Sequence, residues 1–444
     1  MRPGRHRRHH MARVGASVET PRVAHGHHHH HDHERSHREL DAPAVRRLLA
    51  SVVVVMVVAA LVGIAVWWPR GDPAIDREVL GYGDRVDATV TTAEIGPCSF
   101  DPEAECNSVS ARIASGPDEG TFATLEADVA TRTPVAELRR GDDILLNDAG
   151  PDVDPAARYS FADVQRRLPL VILAAVFGVA VVALGRLRGL LALVGIGVTV
   201  GVLLAFVFPA LLRGASPLGV ALTGAIVIAV STIYLAHGVS DRTTVALVGT
   251  MASLLLTAAL GAAFGAAAHL SGLATDESLN LLAFAPEFDF RGLLLAATII
   301  GALGVLDDVT ITQVSAVWEL HHSDPRVGAR GLYSAGIRIG RDHIASTVNT
   351  LVLAYTAAAL PTLLLLTQSG LPMAEVLTTE TLAVEIVQTL VGSIGLVASV
   401  PLTTALASWV VTLADRKQQP ERFGRPSRRA AVAEHREDAF WGPP

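Results

Sequence analysis

Apolar stretches of about 20 residues, nearly free of formal charge, alternate with polar breaks along most of this chain. They fall at about 48–68, 168–185, 190–212, 218–236, 243–268, 292–312, 346–367 and 386–414. Each is long enough to cross a hydrocarbon core about 30 Å thick at about 1.5 Å of rise per helical residue. Helices buried in a large soluble core would carry polar faces at the helical period, and most of these runs show none. The pattern predicts an α-helical polytopic membrane protein with about eight transmembrane (TM) helices.

Between the first and second runs the pattern changes. Residues 69–167 hold 20 acidic residues and 10 arginines. Stretches such as Val86-Asp87-Ala88-Thr89-Val90-Thr91 alternate with period two, and Val135 to Leu146 reads as a turn entering a strand. These features predict a small extracytoplasmic β-rich domain between TM1 and TM2, with a barrel as one form it could take. Residues 1–47, with ten arginines and eleven histidines, form an expected disordered cytoplasmic tail. Residues 48–68 are an anchor ending in the interfacial pair Trp67-Trp68. That run is too long for a signal-peptide core, and no small-residue cleavage site follows it. A seven-helix membrane domain (168–414) and a basic cytoplasmic tail (415–444) complete the division.

Charge then sets an expected orientation. With the N-terminus inside, the cytoplasmic short loops carry Arg186, Arg188, Arg242, Arg326, Arg330, Arg338 and Arg341, against only Arg213 and Arg291 outside. Both tails are basic as well, which fits the positive-inside rule for an even number of spans. The outer loops at 269–290 and 368–385 are acidic, through residues such as Asp276, Glu287, Glu375 and Glu385.

Composition agrees: half the residues are apolar, 18% are charged and the mean hydropathy is +0.40, where a soluble chain carries about 25% charged residues. All but one of the 36 basic side chains are arginine, the exception being Lys417. That bias needs no nucleic acid to explain it. The two cysteines, Cys98 and Cys106, both fall in the domain placed outside, where disulfides persist. A bridge closes that gap easily, whereas a metal pair would want tighter spacing and nearby histidines.

The stretch Gly301-Ala302-Leu303-Gly304-Val305-Leu306-Asp307-Asp308-Val309-Thr310-Ile311-Thr312-Gln313 concentrates the candidate chemistry. Each charged group at such depth costs roughly 3 kcal/mol on insertion scales and so needs a partner, water or an ion. At about 100° per residue, Gly301, Gly304, Asp308 and Thr312 share one face, with Asp307 a quarter-turn away. Two carboxylates with neighbouring Thr310, Thr312 and Gln313 suit a hard cation or a relayed proton. Two blander readings stand beside this one. The helix could end near Asp307 and leave both carboxylates in interfacial water, or an arginine from 318–345 could neutralise them.

Other polar features carry weaker signals. Glu319, His321, His322, Asp324 and Arg341-Asp342-His343 match no closed zinc spacing and read as a solvated loop. The tract His27, His28, His29, His30, His31 and His33 is compositionally metal-binding, although such tracts also bind metals weakly without any role. Gly197/Gly201 and Gly261/Gly265 allow close helix contacts, as do Gly301 and Gly304. Pro209, Pro361 and Pro401 are candidate kinks. The segment Asn280–Phe284 suits an interfacial or re-entrant position.

A single N-terminal anchor, a β-rich insert and a bundle containing Gly304-Val305-Leu306-Asp307-Asp308-Val309-Thr310-Ile311-Thr312-Gln313 resemble the YibE/F family of bacterial membrane proteins. The resemblance covers roughly residues 45–414 and implies multi-pass placement in the plasma membrane, with no established activity attached.

The leading functional expectation is a gradient-driven transporter or permease of an ion or small solute, with Asp307 and Asp308 at its centre. No Gly-x-x-x-x-Gly-Lys-Ser/Thr run is present to bind ATP, and no inverted repeat is evident. The alternative is an envelope assembly protein whose outer domain binds a partner. An intramembrane aspartyl enzyme is disfavoured, because adjacent aspartates point apart, and no Gly-x-Ser-x-Gly or His-Glu-x-x-His run appears. The implied partners are the lipid bilayer, a cation and a second copy in a homo-oligomer; no cofactor is implied.

Overall fold

The computed structural model describes residues 43–71, 84–154 and 157–416. The His-rich tract and the basic tail from Lys417 onward lie outside the described residues. The chain is mostly helical, with a small β half-barrel near the N-terminus.

Six helical segments are long and apolar enough to cross a membrane: Pro43–Trp67 (α1), Arg167–Leu212, Pro217–His237 (α5), Asp241–Ala267 (α6), Phe290–Ser323 (α8) and Glu380–Ala414, most of Glu380–Arg416 (α12). A seventh is added if Ala329–Ala358 (α9) and Leu360–Thr367 (α10), bent by 65° at their junction, count as one. Pro361 sits at the first turn of α10, where its ring and missing N–H break the preceding helix. Pro401 lies within α12, which continues through it.

The 46-residue segment does not run straight. Its first part, Arg167–Val202 (α3), is broken at Arg186, with φ 52° and ψ −131°. A Cβ placed on Gly178 would lie 3.8 Å from Leu193 Cδ1, although fifteen residues of straight helix would separate them by about 22 Å. α3 is therefore a hairpin of two arms. Gly189 backs onto the Val181 carbonyl at its turn, an approach that any side chain would block. A π-helical turn, Leu203–Val207, then leads into Phe208–Leu212 (α4). There the wider turn accommodates Pro209, which lacks an N–H for its helical bond.

Close contacts fix the direction of each helix relative to its neighbours. Gly63 meets Thr223 and Trp67 meets Gly219, so α1 and α5 are antiparallel. The second arm of α3 opposes α5 through Gly195 by Thr232 and Val207 by Gly224. Pro217 lies by Gly292 and Thr232 by Asp307, so α5 and α8 run in parallel. Gly261 by Thr298 and Thr250 by Thr310 make α6 antiparallel to α8, and Gly249 by Thr403 with Gly395 by Thr257 make it antiparallel to α12. Gln313 by Gly336 and Gly301 by Tyr355 oppose α9 to α8. Each long helix, counting the two arms of α3 separately, thus runs opposite to the one before it. Pro43 and Arg416 share one end of the bundle with Arg186, Arg188 and Arg242. Short helices Asp276–Phe284 (α7) and Met373–Val376 (α11) lie toward the other end. At nine residues, α7 spans only about 14 Å.

Two apolar clusters stack along the bundle. One is built on Ile233, Leu247, Leu254, Ile299, Leu303 and Leu306; the other, nearer Pro43, on Val45, Leu49, Val245, Ile311, Val314 and Val317. Buried hydroxyls line the α6–α12 seam, where Thr250, Ser253, Thr257 and Thr404 donate to carbonyls four residues back. Satisfied in that way, they act as small residues that let backbones approach.

The half-barrel follows from strict alternation. Strands Asp84–Pro97 (β1), Glu105–Ile113 (β2), Phe122–Asp128 (β3), Asp143–Asp148 (β4) and Tyr159–Val164 (β5) pair antiparallel in the order β3-β2-β1-β4-β5. Val86, Ala88, Val90, Val109, Ala111, Ile113, Ile144 and Leu146 turn inward and form its core. Burying each valine, isoleucine or leucine here contributes about 1.5–3 kcal/mol. The stretch read as a turn at Val135 is a short helix, Pro134–Glu137 (α2), held by Asn107 Nδ2 donating to the carbonyls of Val135, Ala136 and Leu138. Cys98 and Cys106 form a disulfide across the β1–β2 connection, with Cα atoms 4.8 Å apart. Glu126 borders it and accepts bonds from Ser99 N and Ser99 Oγ.

One ionic cluster ties the end of the sheet. Arg158 donates to both oxygens of Asp148 at 2.7 and 2.8 Å and reaches Asp118 at 2.6 Å. Tyr159 donates to the same Asp118 at 2.7 Å. The Arg158 bond holds the Asp148 carboxyl below its ordinary range, while burial, with the bond to Asp118, pushes the Tyr159 hydroxyl up to about 12. A lowered carboxylate contributes stability that is present above its unfolded value, about 3.9, and is lost as pH falls through the folded one. Thermal unfolding of the full chain in detergent should show the half-barrel weakening below about pH 4. Arg158→Ala should weaken it at neutral pH and flatten that acid dependence; an unchanged acid profile would count against the clamp.

Candidate functional site

Asp307 and Asp308 lie where the two apolar clusters meet. Leu306 and Val309 belong to one, and Ile311 and Val314 to the other. α8 continues to Ser323, well past both aspartates, so they are not at a helix end. Among the described residues no arginine forms an ion pair with either. At this pair the structure thus shows neither a helix end nor a neutralising arginine among the described residues.

Asp307 faces α5. Its Oδ2 is 3.3 Å from Thr232 Oγ1, and its Oδ1 is buried with no hydrogen-bond partner. Thr232 also donates to the Ile228 carbonyl at 2.9 Å. A hydroxyl has one proton, so Thr232 cannot serve both acceptors at once. A protonated Asp307 resolves the conflict: its carboxyl O–H donates to Thr232 Oγ1, and Thr232 keeps its own proton on Ile228.

Asp308 lies on the exposed face with Gly301, Gly304 and Thr312. A Cβ at Gly304 would meet nothing within 4 Å, and one at Gly301 would meet only Tyr355 Oη, at 3.3 Å. The glycines thus leave open space along α8 above Asp308.

The neighbouring polar residues do not converge on the carboxylates. Thr310 Oγ1 pairs with Thr250 Oγ1 at 2.5 Å and lies 3.1 Å from the Asp307 carbonyl. Thr312 donates back to the Asp308 or Val309 carbonyl. Gln313 Nε2 joins three helices through the Gly336 carbonyl at 2.8 Å and Thr404 Oγ1 at 2.7 Å. Hard divalent cations gather six or more oxygens, and these side chains are committed elsewhere.

The glycine pattern also sorts differently. Gly261 makes its contact with Leu295, Thr298 and Val391, but Gly197, Gly201, Gly265 and Gly304 face open space. Closest approach falls at Gly63, Gly219, Gly249, Gly336, Gly340 and Gly395, each opposite a larger side chain. A GxxxG spacing marks a low ridge without saying where another helix crosses it. Glu319 comes within 3.9 Å of Arg242, and Asp324 caps the Arg326 amide. Among the described residues, the only metal-type grouping is Cys98, Cys106 and Glu126, whose cysteines are already bonded to each other.

The prominent cavities lie away from the aspartates. One of about 270 Å³ sits between α1, α5 and α6, by Arg46, Tyr234 and Asp241, and an apolar one of about 280 Å³ lies beside Trp68 and Phe206. Asp308 instead lies on an open face of α8, while Asp307 turns toward α5.

The family described as YibE/F-like protein matches residues 173–413, more than half of the chain. The chain belongs to the YibE/F family. This YibE/F region contains both aspartates, most of the α3 hairpin and nearly all of α12, and leaves out α1 and the half-barrel. No curated protein and no solved structure matches the chain.

Proposed function

We propose that the protein is a gradient-driven carrier of an ion or small solute in the bacterial plasma membrane, with Asp307 and Asp308 binding the coupling ion. The unpartnered Oδ1 of Asp307 carries this reading. A carboxylate oxygen buried in an apolar bundle with no donor is costly unless an ion or proton joins it. Liposome flux under imposed proton, sodium and divalent-metal gradients tests it, comparing wild type with the Asp307→Asn/Asp308→Asn variant. Flux in neither would sink the proposal.

The same reading takes the alternating helices as eight spans, with both termini cytoplasmic and the half-barrel outside. The arginines at the Pro43 end support that side as cytoplasmic. Cysteine introduced by Asp276→Cys should then react with a membrane-impermeant maleimide in intact cells. Asp324→Cys should react only after permeabilisation, and the reverse pattern would invert the topology.

A second reading, an assembly role for the outer domain, is favoured by Phe100. This side chain is 68% exposed in the loop closed by the disulfide, and exposed aromatics on rigid loops often anchor partners.

A further inference from the structure

We infer that two copies of this chain pair through the outward face of α9, with the carboxamide of Asn349 in each copy bonded to that of the other. The pairing stands independently of the transport reading.

α9 presents two unlike sides. Ile344, Val348 and Leu351 fall together at the helical period and pack against the cluster holding Leu303 and Leu306. Tyr355 meets Gly301 of α8 on the same side. Asp342, Ser346, Asn349 and Leu353 lie within about 60° of one another on the opposite side. All four are exposed, Leu353 by 60%. Gly340 lies by Gln313 and Tyr355 by Gly301, so Asn349 stands between those levels, beside the apolar run of α8. Thr350 and Thr356 satisfy their hydroxyls on carbonyls four residues back. Asn349 has two N–H donors and an oxygen, and its side chain makes no hydrogen bond among the described residues.

A second copy fits this face where the other occupants do not. Acyl chains offer a carboxamide neither donor nor acceptor. Residues 1–42, 72–83 and 417–444 all carry charges, which hydrocarbon excludes. A carboxamide holds both a donor and an acceptor, so two of them satisfy each other across a two-fold axis, where like meets like. Copies of one chain share one orientation in the membrane, so the axis runs along its normal and the paired α9 helices are parallel. Parallel helices meet at positions repeating in alternate steps of four and three. Asp342, Ser346, Asn349, Leu353 and Thr356 have that spacing. Ser346 and Thr356 are small enough to let the backbones approach on either side of Asn349, and Leu353 packs on its counterpart. Asp342, nearest the basic end, has Arg338 one turn back on its own helix to offset its charge.

The test uses the full chain. Its two cysteines, Cys98 and Cys106, are bonded to each other, so an introduced cysteine is the one thiol free to oxidise. In membranes treated with copper phenanthroline, Asn349→Cys and Leu353→Cys should cross-link to twice the 46.7 kDa of the chain. Val58→Cys, exposed on α1, should stay single. In detergent, wild type should sediment as a dimer. Asn349→Leu should still fold but raise the dimer dissociation constant about tenfold, and Asn349→Gln, which keeps the carboxamide, should recover part of that loss. Asn349→Leu dimerising like wild type overturns the amide pairing. Cross-linking at Asn349 and Leu353 no stronger than at Val58 leaves lipid on this face and overturns the interface. A cross-link to any other mass puts a different protein there and overturns it as well.

Discussion

Asp307→Asn/Asp308→Asn is expected to fold at least as well as the wild type and to move no ion. Both halves of that outcome follow from the site. Asparagine keeps the shape of each side chain and removes a charge that costs roughly 3 kcal/mol to place in an apolar span. At position 307 the amide offers Thr232 Oγ1 a donor in place of the contested proton, while Thr232 stays on the Ile228 carbonyl. With the charge gone and Thr232 given a donor, thermal unfolding in detergent should be unchanged or shifted upward. A structural aspartate, held for its bonds, would give the opposite: lower stability when replaced. Flux is the other half. With no ionisable oxygen left on this stretch of α8, the ion has no carrier at the junction of the two apolar clusters, and transport should drop to the liposome background. Persistent flux in a well-folded variant would remove the aspartates from the path, and lost stability would assign them to packing.

How far the amino-acid pattern reached differs between the two parts of the chain. Strand periodicity at Val86-Asp87-Ala88-Thr89-Val90-Thr91 led directly to β1, because period two dictates which face is buried. The apolar run at 168–185 became the first arm of α3, and that at 190–212 its second arm continued through the π-helical turn into α4, since the polar break holding Arg186 and Arg188 cannot lie in the hydrocarbon between them. The run expected at 346–367 reads differently in the structure. α9 begins at Ala329, because the amphipathic stretch with Arg338, Arg341 and Asp342 is helical although its charges hid it from a search for apolar length. The bend before α10 was marked by Pro361.

The site was legible in part. Asp307 and Asp308 stood out because two carboxylates interrupt an apolar helix. The shared face of Gly301, Gly304, Asp308 and Thr312 followed from the helical period. Their surroundings did not follow. Thr232 comes from a helix 75 residues earlier, and Gln313 turns to α9 and α12, which one helix's periodicity cannot foretell.

Gly395→Leu is expected to keep the bundle from assembling, and the reason lies in a reciprocal contact. Gly395 of α12 backs onto Thr257 of α6, and eight residues along each helix Gly249 of α6 backs onto Thr403 of α12. Each glycine receives the other helix's threonine, and both threonines are fully buried. A Cβ at position 395 would run into Thr257 Oγ1 and come within 3.2 Å of Thr257 Cβ. Thr257 cannot swing away easily, because its hydroxyl is bonded to the Ser253 carbonyl at 2.9 Å and β-branching restricts its rotamers. Overpacking a filled core costs about 1–3 kcal/mol, and leucine adds three more carbons than the clash requires. α6 also packs on α8 through Thr250 and Thr310, so separating α6 from α12 shifts the helix that carries the aspartates. Gel filtration in detergent should show Gly395→Leu aggregated or absent. Gly395→Ala should melt below wild type, and Thr257→Ala in the same chain should recover part of that loss by removing the first atom struck. A Gly395→Leu protein that is monodisperse and melts like wild type would show that α6 and α12 do not meet at this point.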